Sequence, residues 1–133
     1  MNMRNYILFF VFIFAIAGCG SPKTATETAI PVGELRAEYL QSKDATKAKY
    51  SGKTIIVKGW VGSSPLMPKG PTETGYLSLS QKGGDLMFML SCQFSDADKA
   101  AFAKITADSI VTVSGVFEDD MSVALKSCKV VTE

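Results

Sequence analysis

Three cysteines and no histidine set the chemical repertoire of this 133-residue chain. Without imidazole the commonest general base and the commonest metal ligand are both missing. Metal ligation would have to come from clustered thiolates or carboxylates, yet Asp96 and Asp98 sit at a predicted helix start, where capping accounts for them. Gly83-Gly84 is not followed by the Lys-Ser or Lys-Thr of a phosphate loop and reads as a hairpin turn. Ser42 and Lys43, or Ser51 and Lys53, are neighbours in sequence, which puts neither pair in a desolvated pocket. The expectation is a domain with no catalytic residue, no metal and no cofactor.

The first cysteine has a chemistry of its own. Residues 1–5 carry one positive side chain, Arg4, and residues 7–16 are apolar throughout. That length suits the core of an export signal and falls short of the roughly 20 residues that span a bilayer. Ile16-Ala17-Gly18-Cys19 follows directly. Small residues at 17 and 18 let a peptidase close on extended backbone, and the Cys19 thiol can then accept lipid; the four residues resemble the bacterial lipobox. The alternative is an ordinary secretory signal with an incidental cysteine. A diacylglycerol thioether with an N-acyl chain would exceed the two signals that stable anchoring needs. Residues 1–18 are thus expected to be a cleaved signal peptide, residues 19–30 a lipidated cysteine with a flexible Ser/Thr/Pro/Gly/Ala tether, and residues 31–133 the folded domain. Gly20 after the cysteine implies the periplasmic face of the outer membrane of a Gram-negative bacterium.

Elements that could position the other two cysteines follow from hydrophobic period. Leu35, Tyr39 and Leu40 fall at helical spacing, and Asp44 can cap a second short helix bearing Ala45 and Ala48 that stops at Gly52. From Thr54 the period becomes two: Ile55, Val57, Gly59 and Val61 alternate with Ile56, Lys58 and Trp60, and the mid-strand glycine suggests the bend of a small barrel. A proline-rich loop, 63–75, separates this strand from a second at 76–81. A third, 86–94, has Phe88, Leu90, Cys92 and Phe94 on one face and Met87, Met89, Ser91 and Gln93 on the other. Ser95 and Asp98 read as a capping box opening a helix with Ala97, Ala101, Phe102 and Ile105. Strands at 109–117, where Gly115 mirrors Gly59, and 122–131 complete the chain. This order predicts a mainly β protein: a five-stranded OB-fold barrel with a helix between strands three and four and an N-terminal helical extension. Another small five-stranded barrel or roll is the alternative.

Leu35 and Tyr39, Ala45, the run Tyr50-Ser51-Gly52-Lys53-Thr54, Val57 and Gly59, Cys92 and Phe94, Val111-Thr112-Val113-Ser114-Gly115, and Leu125 to Cys128 resemble the tRNA_anti-like family of OB-fold lipoproteins. The likeness covers roughly residues 32–131, and it implies fold ancestry shared with the anticodon-binding OB domain of tRNA synthetases. The 63–75 loop is longer and richer in proline than the family pattern, so any specificity there belongs to this chain.

In the OB strand order the third and fifth strands are neighbours, so Cys92 and Cys128 can pair as a disulfide in an oxidising compartment; two buried thiols filling the core are the competing reading. The outer face of strands two and three offers Tyr76, Ser78, Ser80, Met87, Met89, Ser91 and Gln93, framed by Leu66, Met67 and an acidic tip at Glu118 to Asp120. Methionine beside small hydroxyls suits an envelope protein, peptide or glycan, although Met87 and Met89 could equally form a second core under the N-terminal helices. Single-stranded nucleic acid is the alternative ligand and would use Lys58, Trp60 and Tyr76. Charge demands neither: without the leader, basic and acidic residues balance, and the lysines from Lys43 to Lys58 and the acidic tip read as solvated surface.

Overall fold

In the computed structural model, which describes residues 28–84 and 88–132, the first element begins at Ile30. The leader, Cys19, most of the tether and Met87 lie outside the described residues. Strand β1 (Ile30–Pro31) leads into helices α1 (Val32–Gln41) and α2 (Lys43–Tyr50), then β2 (Thr54–Val61), β3 (Gly75–Ser80) and β4 (Leu90–Phe94). A 3-10 turn (Asp96–Asp98) and a one-turn helix α3 (Lys99–Phe102) precede β5 (Ser109–Asp119) and β6 (Val123–Val130).

The alternation of each strand puts its apolar set inside one closed barrel. Neighbours run β2, β3, β4, β6, β5 and back to β2; β4 and β6 are parallel and the other pairs antiparallel. This is the OB circuit the element order predicts. Val57, Val61, Leu77, Leu79, Leu90, Cys92, Phe94, Val113, Phe117, Leu125 and Cys128 are all buried within it. The register places Cys92 opposite Leu125, and Cys92 and Cys128 are joined by a disulfide with their Cα atoms 6.0 Å apart.

The N-terminal extension closes a seam that the barrel strands leave open. β2 pairs with β3 through Trp60 and Val61, while its first half is bordered by β1, with Ile30 opposite Val57. Val32 and Leu35 of α1 fill the space behind, each at most 1% exposed. At the other end of the barrel Phe102 of α3 stacks on Phe94, ring centres 3.9 Å apart.

Several expectations are corrected. Ser42, not Asp44, caps α2: its hydroxyl accepts from the Ala45 N–H at 3.2 Å, because the chain is already extended at Ser42 and Asp44 falls inside the first turn. The third strand begins at Leu90, four residues later than the pattern suggests; Phe88 is buried ahead of it and tilts against Tyr39 of α1. The helix expected after Ser95 is a 3-10 turn plus one α-turn, in which the Ser95 hydroxyl donates to the Asp98 carboxylate instead of capping a backbone N–H; Ala97 and Ala101 are exposed.

The acidic tip is not wholly solvated. Asp119, the last residue of β5, is 4% exposed, and its carboxylate accepts from the Tyr39 hydroxyl at 3.2 Å with Lys43 Nζ at 3.8 Å. The lysine cluster is likewise partly paired, since Lys49 bridges Glu38 at 3.0 Å. Tyr39→Phe should therefore destabilise the fold by about 1–3 kcal/mol, because it removes a donor from a carboxylate that stays buried. Urea unfolding of the two proteins tests this, and equal midpoints would show that Lys43 and water suffice for Asp119.

Candidate functional site

β3 and β4 alternate in phase, so their outward residues form rows. Tyr76 lies opposite Gln93 and Ser78 opposite Ser91, with Leu77 and Cys92 turned inward between them. Gly75 starts β3 because a side chain there would run into the Phe94 ring. The loop before β3 extends the first row: Leu66 N–H donates to the Tyr76 carbonyl at 2.8 Å and Tyr76 N–H to the Leu66 carbonyl at 2.9 Å, so Leu66 acts as one more strand residue beside Tyr76. Leu66 is 70% exposed and Tyr76 43%.

On its other side Gln93 borders a depression of about 230 Å³ shared with Glu118, Asp120, Met121, Ser122, Ala124 and Lys126. Met121, in the turn between β5 and β6, is fully exposed. Lys126 is ion-paired with Glu118, and that hydrogen bond, with the carboxylate charge, holds the ammonium above the usual lysine range. The result is a band with apolar side chains at both ends, Leu66 with Tyr76 and then Met121, and between them an amide, the Lys126–Glu118 ion pair and the Asp120 carboxylate.

Of the residues proposed for ligand contact, Tyr76, Ser78 and Gln93 are brought together here. Met89 precedes β4 and is 52% exposed, so it is no second core under the helices; Phe88 fills that role because the inward phase of β4 extends back to it. Met67 packs against the barrel core while its neighbour Leu66 takes the surface position. Lys58 and Trp60 lie on β2, at the far end of β3, where Trp60 pairs with Ser80. They share a separate depression of about 210 Å³ with Lys82, Ile110 and residues 31–33. The Trp60 ring crosses Gly62, and its Nε1–H donates to Asp108 Oδ1 at 2.8 Å. Met121 and Lys126 escaped the sequence reading, since a turn residue and a strand lysine carry no periodic signal that singles them out.

The sequence matches the tRNA_anti-like family over residues 1–129. The chain belongs to that family. Among solved structures this tRNA_anti-like protein is similar to a "putative nucleic acid-binding lipoprotein" of Klebsiella pneumoniae, at 17% identity and a TM-score of 0.67, covering 81% of this chain and 94% of that one. It is also matched by two OBodies bound to hen egg-white lysozyme, AM1L10 at 20% identity and TM-score 0.45 and AM3L09 at 16% and 0.44; each covers 64% of this chain, and 85% and 87% of its own. No curated protein matches the sequence. The Klebsiella lipoprotein shares the fold, and at that identity it transfers nothing residue by residue. The tRNA_anti-like site itself offers hydrogen-bonding and apolar contacts; among the described residues no three His, Cys, Asp or Glu side chains gather as a metal site, and no helix is long and apolar enough to cross a membrane.

Proposed function

We propose that the chain is an exported lipoprotein, cut before Cys19 and held in the cell envelope by lipid on that cysteine, whose OB barrel is a non-catalytic adaptor for an envelope protein or peptide. The observation that carries this is the Leu66, Tyr76, Gln93 and Met121 band. Large exposed apolar side chains flanking a polar centre are how protein surfaces are recognised. A nucleic-acid platform would instead want several stacked aromatics over a basic groove; here Tyr76 is the aromatic and Lys126 is neutralised by Glu118. A glycan would use the same band through Tyr76, Ser78 and Gln93. Gly20 supports the periplasmic face of the outer membrane as the location.

A photo-crosslinking residue at position 76 in living cells should give one discrete protein adduct, lost when Leu66→Asp and Met121→Asp are introduced together. Smeared or absent adducts would overturn the adaptor reading. The nucleic-acid alternative has one observation of its own: Lys58, Trp60 and Lys82 line a single depression, a place where a base could stack between cations. Anisotropy with labelled single-stranded DNA decides it. No saturable binding at low salt is expected, whereas binding that weakens steeply with salt would move the site to Trp60.

A further inference from the structure

Opposite the β3 and β4 face, the outward residues of β2, β5 and β6 form a second surface of a different kind. Register sets Lys58 beside Thr112, Trp60 beside Ile110, Ile56 beside Ser114, and Ser114 beside Lys129. Ile110 is 61% exposed beside Trp60, while Ile56 and Trp60 are half-buried. Lys58 and Lys129 are exposed, and among the described residues neither is in an ion pair. Acids lie at the two ends: Glu118 is paired with Lys126, and Asp108 holds the Trp60 indole with Lys82 at 3.8 Å. The middle is therefore apolar and cationic.

The chain enters the fold alongside this surface. β1 runs parallel to β2, and Thr28 lies with Lys49, Lys53, Thr54 and Ile56 around a depression of about 340 Å³. Thr28 is nine residues beyond Cys19. A tether of that length reaches about 30 Å at full extension and roughly half as far as a coil. The domain thus cannot leave a membrane that holds Cys19, and its nearest side is the one where the tether enters.

We propose that the outer face of β2, β5 and β6 rests on the anionic phospholipid bilayer to which the chain is anchored, with Trp60 and Ile110 at the headgroup boundary and Lys58 and Lys129 on the lipid phosphates. This rests on the lipoprotein reading of Cys19. Tryptophan favours the membrane–water interface, and each lysine near an anionic surface favours the docked orientation by about fivefold. The Leu66, Tyr76 and Gln93 end of the band then faces away from the bilayer, open to a partner.

Trp60 is the sole tryptophan, so its fluorescence reports this face alone. The protein, expressed with its leader and purified from cells, would be reconstituted into phosphatidylcholine vesicles with and without phosphatidylglycerol, some carrying brominated acyl chains. The expected result is a blue shift and bromine quenching of Trp60 in the anionic vesicles, reversed by high salt and lost in Lys58→Glu with Lys129→Glu, two exposed positions whose folding is checked by circular dichroism. A protein that floats with both vesicle types while Trp60 stays unquenched would overturn the docking and leave the anchor standing. Flotation with neither, and an unmodified Cys19 by mass spectrometry, would remove the anchor and the docking together.

Discussion

Replacing Cys92 and Cys128 together by alanine is expected to lower the unfolding free energy by about 3–4 kcal/mol. The bond closes a loop of 36 residues, and the chain-entropy model gives that range for a loop of this size. Its position shows what it fastens. β4 and β6 are matched only through Ser91 with Ala124 and Cys92 with Leu125, the shortest of the seams between barrel strands apart from the β2 and β3 one that α1 covers. The disulfide fastens that seam from inside, where both residues have no exposed surface. A domain of this size should lose on the order of 15 °C in melting temperature. Thermal unfolding with and without reductant, alongside the alanine pair, measures it; a folded protein with two titratable thiols and an unchanged midpoint would show that the cysteines act merely as core-filling groups. A bond of this kind also needs an oxidising compartment to form, which is the compartment an exported chain enters.

What the sequence revealed and what it hid divide along physical lines. Period-two alternation from Thr54 and from Ser109 sets which side chains enter the barrel, and once five strands are counted the OB circuit brings Cys92 next to the strand of Cys128. Those features are local or follow from topology. The burial of Asp119 is neither. It depends on Tyr39, 80 residues earlier, reaching across from α1, and an acidic run read alone looks solvated. Met89 and Phe88 show the same limit: the alternation separates them correctly, but where the N-terminal helices sit decides which is covered, and α1 covers Phe88. The candidate site was half legible. Tyr76, Ser78 and Gln93 follow from strand phase, whereas Met121 and the Lys126 pair with Glu118 arise where a turn and a neighbouring strand meet. Ser42 capped α2 in place of Asp44 because the break between the helices fell two residues earlier than composition marked.

The paired mid-strand glycines give the second large effect, and here the expected reason changes. Gly59 and Gly115 suggest barrel bends, yet each is also a point of close approach. A Cβ on Gly59 would lie 2.7 Å from Val32 Cγ2 and 3.0 Å from Leu79 Cβ; one on Gly115 would lie 2.9 Å from both Cys128 Sγ and Leu125 Cβ and 3.1 Å from the Lys126 carbonyl oxygen. Gly59→Ala and Gly115→Ala should each destabilise the fold by roughly 1–3 kcal/mol through overpacking. The two will differ in whether they can be relieved. Val32 sits on α1, an element outside the barrel circuit, so Val32→Ala opens the space and Gly59→Ala should cost less in that background than alone, with a coupling of about 1 kcal/mol. Gly115 faces strand β6, where a disulfide and a backbone carbonyl cannot both withdraw, so Gly115→Ala should keep most of its cost even when Cys128 and Cys92 are alanine. Urea unfolding across both mutant cycles separates the cases. Additive costs at Gly59 and Val32 would mean that α1 shifts as a body when the methyl is added, and the seam between β2 and β3 would then be held by β1 rather than by the helix.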